Sequence, residues 1–202
     1  MASDACGSVT WTNNFAGVSN DCGATGSVTV TFTATDPNSN FATTSATFTI
    51  EDTNGPTIIA PADITIECGQ DPDDLGITGT PTGITDVCSG GTSTGYTDTT
   101  VAGCGNTEVI TRTWTATDDC GNASTAVQTI TVVDTTPPVV TAPADVAALE
   151  CGGDTTPTGT GTATATDVCD AAPVITFADT TVAACGNTEV ITRTWTATDD
   201  CG

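Results

Sequence analysis

The chain has no lysine and no histidine, and its only basic residues are Arg112 and Arg193, against 25 acidic residues. Without histidine there is no imidazole base and no imidazole metal ligand. Without lysine there is no Schiff-base nucleophile and no P-loop lysine. The formal net charge of −23 would repel a phosphate backbone, so we expect no nucleic-acid partner.

Long apolar runs and aromatic residues are also scarce. No run approaches the roughly 18 apolar residues of a membrane span, so we expect no membrane insertion. The start of the chain lacks the basic region and apolar core of a signal peptide, which suggests a piece of a longer protein. Aromatic residues make up only 4%. Acidity with few aromatics is typical of disorder, but the regular alternation of apolar residues argues against it.

Cysteine and threonine are abundant instead. Ten regularly spaced cysteines in 202 residues predict an oxidising compartment and a disulfide framework. The alternative is a cytosolic cysteine-rich metal protein, which the absence of any Cys-x-x-Cys pair disfavours.

The sequence repeats itself. The segment Cys104–Gly121 recurs without change as Cys185–Gly202, 81 residues later, and Cys22–Asp36 is a more distant copy. Self-similarity at a fixed period predicts a modular array. We therefore expect three repeats: a first repeat (1–53, lacking its N-terminal side), a complete middle repeat (54–134), and a third repeat (135–202, lacking its last strand).

Each repeat has the pattern of an all-β module. In the first repeat Val28, Val30 and Phe32 alternate with threonines, as in a strand with one buried face. The corresponding inward set of the middle repeat is Ile110, Arg112, Trp114 and Ala116. Short strands separated by polar turns over about 80 residues predict an immunoglobulin-like β-sandwich.

The strand directions of such a sandwich predict disulfides within each module. Cys104 and Cys120 are separated by a long strand, so they cannot pair with each other. The predicted pairs are Cys68–Cys104, Cys88–Cys120, Cys151–Cys185 and Cys169–Cys201. Cys6 and Cys22 then lack natural partners, and are either free or joined to each other.

Two motifs carry a resemblance to a known family. The segment Asp134–Asp145 followed by Glu150-Cys151 looks like the junction of hyalin-type repeats, and Trp114–Asn122 looks like their late strand. The same motifs are similar to repeat arrays on secreted surface proteins of Bacteroidetes, including the mobile adhesins of gliding bacteria. The resemblance implies an immunoglobulin-like fold, type IX secretion, a cell-surface location, and a role in gliding motility or adhesion.

Acidic side chains are expected to meet at the repeat junctions. The predicted Cys88–Cys120 bond would bring Asp86 close to Asp118, and the Cys169–Cys201 bond would do the same for Asp167 and Asp199. The preceding repeat would add Asp52 to the first of these junctions and Asp134 to the second. Neighbouring carboxylates repel one another, and Ca²⁺ relieves this while accepting irregular oxygen geometry. The sequence therefore offers two candidate calcium sites. The alternative is that these residues are solvated turn aspartates.

Arg112 and Arg193 fall at inward positions of their strands. An unpaired buried guanidinium is costly, so we expect a carboxylate partner or stacking on Trp114 or Trp195. The alternative is a side chain that reaches solvent along its aliphatic stem.

The three tryptophans, Trp11 included, are expected to pack cores rather than bind sugars.

Four Asp-Thr-Thr segments resemble the O-glycosylation motif of Bacteroidetes and are expected in turns or junctions. Their candidate acceptors are Thr99, Thr135, Thr155 and Thr180. The alternative is chance in a threonine-rich chain.

The sequence as a whole predicts a structural repeat of an extracellular adhesin stalk or filament, extended and mechanically stiff. Its partners would be neighbouring modules, a homopolymer or a surface glycan. We expect no enzymatic activity, because the acidic positions recur in every repeat rather than in one cleft. Two alternatives are a carbohydrate-binding, lectin-like array and a surface fibre assembled by strand exchange.

Overall fold

A computed structural model describes residues 7–202, so Cys6 lies outside the described residues. The predicted all-β class is confirmed, since the described part of the chain contains 13 strands and two helices of four residues each. Neither helix has the length needed to cross a membrane. The elements are β1 (Thr10–Asn13), β2 (Gly26–Thr35), β3 (Phe41–Ile50), β4 (Thr57–Ile59), β5 (Ile64–Glu67), α1 (Leu75–Thr78), β6 (Thr82–Thr85), β7 (Thr92–Ala102), β8 (Glu108–Asp118), β9 (Ala123–Val133), β10 (Val139–Thr141), α2 (Pro157–Thr160), β11 (Thr164–Thr166), β12 (Val174–Ala183) and β13 (Glu189–Thr198).

The residues form two compact units. The first comprises the chain up to Pro61 together with Thr80–Thr97 and Thr113–Gln128. The second comprises Ala62–Gly79, Asp98–Arg112 and Thr129–Gly202. Each unit therefore combines part of the middle repeat with residues of a neighbouring repeat.

The first unit contains an antiparallel sheet in the order β1-β2-β3, with Val30 of β2 opposite Ala46 of β3. A tight turn joins β2 to β3. Asp36 Oδ1 accepts hydrogen bonds from the backbone N–H groups of Asn38 (2.9 Å) and Asn40 (2.8 Å), while Ser39 adopts a left-handed φ of 69°. Short polar side chains favour such turns because they replace backbone partners.

The middle repeat contributes a four-stranded sheet in the order β5-β9-β8-β7, in which β5 runs parallel to β9. The predicted alternation of β8 is confirmed, because all four inward residues, Arg112 included, are buried. In the second unit the apolar core joins β8, β9 and β5. It consists of Ile66, Ile110, Ile130 and Val132.

The predicted carboxylate partner of Arg112 is confirmed. The guanidinium is fully buried, and its Nε and Nη2 atoms donate to the two carboxylate oxygens of Asp98 at 3.0 and 2.7 Å. Nη2 also donates to Asp73 Oδ1 at 2.7 Å, and Nη1 donates to Pro72 O and Thr78 Oγ1. Charge-assisted bonds of this kind offset the desolvation cost of a buried cation.

The third repeat reproduces this arrangement on the β12–β13 pair, with one carboxylate fewer. Arg193 donates to both oxygens of Asp179 at 2.7 Å and to Thr160 Oγ1, but Thr155 stands where the middle repeat has Asp73 and contributes only its carbonyl oxygen. The side chain is 13% exposed and stacks over Phe177, with its Cζ atom 4.4 Å from the ring centre. Its hydrogen bond lowers the pKa of Asp179 below the ordinary value.

The structure corrects the predicted disulfides. It joins Cys22 to Cys120, Cys68 to Cys169 and Cys104 to Cys201, with Cα–Cα distances of 5.2, 5.7 and 5.4 Å. Every one of these bonds connects one repeat to the next, whereas the prediction kept each bond within a repeat. The pairs Cys68–Cys104, Cys88–Cys120, Cys151–Cys185 and Cys169–Cys201 are not formed, Cys22 is neither free nor joined to Cys6, and Cys88, Cys151 and Cys185 are free thiols.

The correction has a geometric reason. Cys68 lies beside the turn that follows Cys104, with its Sγ atom 3.8 Å from Asn106 O. The same turn also contacts the next repeat, because Asn106 N donates to Cys169 O at 3.0 Å. The cysteines of two repeats therefore meet at one place, and considering one repeat alone omitted the partners that are used.

Removing Asp98 tests the buried pair. We expect Asp98→Ala to lower the free energy of unfolding by about 3 kcal/mol, because a fully buried guanidinium loses its bidentate partner. The matched control is Asp179→Ala in the third repeat, which should cost less because Arg193 is partly exposed. Urea titration of both variants measures the difference, and equal losses would contradict burial as its cause.

Candidate cation sites at the repeat junctions

Three aspartates meet in the first unit, each placed by the end of a strand. Asp52 follows β3, Asp86 follows β6, and Asp118 is the last residue of β8. One carboxylate oxygen from each lies within 4.8 Å of the others. The structure thus brings together all three residues proposed from the sequence for this junction.

Local hydrogen bonds orient these carboxylates. Asp86 Oδ1 accepts from the N–H groups of Cys88 and Ser89, both at 2.8 Å. Asp118 Oδ1 accepts from Cys120 N at 2.8 Å and from Asn122 N at 2.9 Å. In each residue the Oδ1 atom is held by its own loop, which fixes the direction of the second oxygen.

Asp52 supplies the least satisfied oxygen of the cluster. Its Oδ1 accepts from Asn54 N at 3.2 Å, while its Oδ2 is buried and accepts no hydrogen bond from any described residue. A buried carboxylate oxygen without a donor is costly unless a cation or proton compensates it. The cluster therefore has the chemistry of an oxygen-ligand site for a hard cation.

Asn122 connects two members of the cluster, a role that the sequence pattern did not predict. Its side-chain amide donates to Asp52 O and to Asp118 Oδ2, both at 3.1 Å. Burial alone would raise the pKa of Asp118, but the hydrogen bonds from Asn122, Cys120 and Gly121 outweigh it, so this pKa lies below the ordinary value. The signal available in the sequence was Asn40, which holds the same place relative to Asp36.

A second contact holds the loop after Asp86 in place. Asp119 N donates to Ser89 Oγ at 3.1 Å, and Gly91 N donates to Asp119 Oδ2 at 3.1 Å. In the third repeat Asp170 replaces Ser89, and Asp200 N donates to Asp170 Oδ2 at 3.0 Å. The two repeats thus satisfy the same backbone position with different side chains.

The second unit contains the related residues in a looser arrangement. Asp134 lies close to Asp167 and also close to Asp199, but the described residues place these neighbours in two separate groups rather than one. Each group also includes a cysteine sulfur, of Cys169 or Cys201, which is not a thiolate ligand because it is in a disulfide. As in the first unit, Asp134 Oδ2 is buried and accepts no hydrogen bond from the described residues.

Asp36 begins a loop of the same type as Asp118, but this loop lies outside the junction clusters. Its Oδ1 accepts from the N–H groups of Asn38 and Asn40, and its Oδ2 accepts from the Asn40 amide at 2.8 Å, which lowers its pKa. These bonds match those of Asp118. Among the described residues, however, Asp36 belongs to no group of converging ligands.

The candidate glycosylation sites are exposed but differ in setting. Thr99 and Thr180 lie within β7 and β12, not in the turns that were expected, because Asp98 and Asp179 beside them bind the arginines. Thr135 and Thr155 lie outside the strands, as expected, and Thr135 donates to Glu67 Oε1. Glycosylation itself stays a prediction.

The three tryptophans differ in burial. Trp114 is 3% exposed and donates to Gln128 Oε1, so its predicted core role is confirmed. Trp11 is 53% exposed, contrary to prediction, because it lies on β1 at the edge of a three-stranded sheet. Trp195 is half-buried against Phe177.

No family model matches the chain, and no curated protein matches it.

The pKa of Asp118 provides a test of the junction loop. Because that pKa is lowered in the folded state, the carboxylate stabilises the fold above the ordinary aspartate pKa, and this contribution is lost as the pH falls through the lowered value. We expect Asn122→Ala to raise the pKa of Asp118 and to move its acid transition to higher pH. Carboxyl ¹³C NMR titration measures this shift, with Asn40→Ala as the matched control that should move Asp36 alone. An unshifted Asp118 in Asn122→Ala would contradict the assigned cause.

Proposed function

We propose that the chain is a structural repeat array of an extracellular stalk or filament on a cell surface, as part of an adhesin. The observation that carries the proposal is the set of three disulfides, each joining one repeat to the next. Covalent bonds at successive junctions restrict bending of an array, which suits an extended spacer. They also require an oxidising compartment, in keeping with a location outside the cytoplasm.

We assign one immunoglobulin-like sandwich to each repeat of about 81 residues. In the middle repeat this is supported by the four-stranded sheet and by the separate antiparallel pair of β4 and β6. Short strands in two sheets with polar connections are typical of such sandwiches.

We further propose that the junction aspartates bind Ca²⁺. Asp52, Asp86 and Asp118 would provide carboxylate oxygens at the first junction, with Asp134 and its neighbours Asp167 and Asp199 at the next. The supporting observations are the converging oxygens and the buried Oδ2 atoms of Asp52 and Asp134, which accept no hydrogen bond within residues 7–202. A cation there would neutralise carboxylates from successive repeats and so stiffen the junction.

Small-angle X-ray scattering tests the stalk proposal directly. We expect the oxidised chain in millimolar Ca²⁺ to give the scattering curve of a stiff, elongated particle. Reduction combined with EDTA should broaden its distribution of dimensions. A compact particle in the oxidised, calcium-loaded state would contradict an extended spacer.

Thermal unfolding tests the calcium proposal. We expect millimolar Ca²⁺ to raise the melting temperature relative to EDTA, because a ligand that binds only the folded state stabilises it. Asp118→Asn should reduce this rise. Asp36→Asn is the matched control, because it alters the same type of loop outside any cluster and should leave the rise unchanged. Equal responses of the two variants would count against the site.

One observation favours a second role in fibre assembly by strand exchange. On β3, Phe48 is 51% exposed and Ile50 is 46% exposed, whereas their counterparts on β9, Ile130 and Val132, are buried beside β5. Among the described residues β3 is an edge strand of its sheet. A strand like β5 from another chain would pair with that edge and cover these two side chains.

Sedimentation measurements test strand exchange. We expect polymers to appear with rising protein concentration, and Phe48→Thr to shift their onset to higher concentration because it removes apolar surface from the accepting face. The control is Val127→Thr, which removes a similarly exposed residue from β9. A chain that stays monomeric at all concentrations would remove this second role.

A further inference from the structure

The two junctions use the same disulfide at equivalent positions. Cys22 and Cys104 begin related Cys-Gly segments, and Cys120 and Cys201 end the identical segments of the next two repeats. The bonds Cys22–Cys120 and Cys104–Cys201 therefore repeat one connection, with sequence separations of 98 and 97. The connection is a property of the repeat and not of one place in the chain.

A backbone hydrogen bond repeats along with the disulfide. Ala24 N donates to Cys88 O at 2.6 Å in the first unit, and Asn106 N donates to Cys169 O at 3.0 Å in the second. Ala24 and Asn106 are equivalent, and so are Cys88 and Cys169. Cys88 thus sits in the same setting as Cys169, yet Cys169 is bonded to Cys68 and Cys88 is free.

The remaining free thiols also have bonded equivalents. Cys151 corresponds to Cys68, and Cys185 corresponds to Cys104. In the middle repeat these two positions bind Cys169 and Cys201 of the following repeat. In the third repeat both are exposed, free thiols.

We propose that Cys151 and Cys185 form a two-thiol docking site for a further repeat of this sequence class. Cys151 bonds the cysteine equivalent to Cys169, and Cys185 bonds the one equivalent to Cys201. By the same rule Cys88 bonds a cysteine equivalent to Cys68. The result is a ladder with two covalent links at each junction. The inference rests on the proposed repeat array and names the partner of its free cysteines.

Each link forms by thiol–disulfide exchange with an oxidant of the disulfide class, such as a dithiol oxidoreductase in its oxidised form. Two thiols lose two protons and two electrons as the new S–S bond forms, and the oxidant's S–S bond is reduced to two thiols. Exposure of Cys151 and Cys185 allows that attack.

The competing arrangement is a bond between Cys151 and Cys185 within the third repeat. The middle repeat argues against it. Cys68 lies beside the turn that follows Cys104, and yet both cysteines bond the next repeat instead.

The test extends the chain by one repeat. A second copy of residues 122–202 is placed directly after Gly202, the extended protein is oxidised, free thiols are alkylated, and disulfide-linked peptides are identified by mass spectrometry. We expect Cys151 linked to the added copy of Cys169 and Cys185 linked to the added copy of Cys201. The free thiols should thereby move by one repeat, to the added copies of Cys151 and Cys185.

Two outcomes would overturn the inference. One is a Cys151–Cys185 bond together with a bond between the added copies of Cys169 and Cys201. The other is alkylation of Cys151, Cys185 and the added copies of Cys169 and Cys201, which would show that all four are free thiols. The control carries serine at the added copies of Cys169 and Cys201, and neither expected linkage should form in it. Non-reducing electrophoresis should show a monomer, since linked multimers would contradict pairing between consecutive repeats. If the expected disulfides do not form but small-angle scattering shows an elongated particle, only the ladder is rejected. A compact particle in the scattering experiment would reject the stalk proposal.

Discussion

The disulfide between successive repeats is the constraint on which the rest of this structure depends. The apolar core of the second unit is small: the cluster that joins β5, β8 and β9 has four buried residues. Each disulfide closes a loop of about a hundred residues, and closing so long a loop removes roughly 4–5 kcal/mol of chain entropy from the unfolded state. A chain rich in threonine and poor in aromatics thereby gains order that its hydrophobic burial alone would not supply.

Charged side chains position several segments of the disulfide-linked repeats. The chain has two arginines and 25 acidic residues, and one arginine, Arg112, is completely buried. Arg112 gathers Asp73, Asp98 and the helix residue Thr78 around one guanidinium, so a single polar group positions β7, β8 and the segment before α1. Asp86 and Asp118 lie instead at strand ends, where hydrogen bonds from the following turn hold the Oδ1 atom of each.

Sequence patterns predicted best the features that depend on a single strand. Alternation in β8 identified its buried face, including Arg112, because side chains in a strand alternate with a period of two. Asp52, Asp86 and Asp118 meet as expected, although the expectation rested on a Cys88–Cys120 bond that does not form. The disulfide partners did not follow, because equivalent cysteines recur in every repeat and their spacing fits bonding within a repeat as well as between repeats. Trp11 was also mispredicted, since alternation reveals a face but not whether a second layer covers it.

The disulfides also shorten the covalent route through the molecule. From Cys22 a bond leads directly to Cys120, the backbone leads back along β8 to Cys104, and a second bond leads to Cys201. A pull on these two ends is therefore transmitted through the segment Cys104–Cys120, which spans roughly 55 Å when fully extended. The remaining polypeptide between Cys22 and Cys201 lies on longer parallel branches and stays slack. Such a pull would load β8, the strand that contains the buried side chains of Arg112 and Trp114.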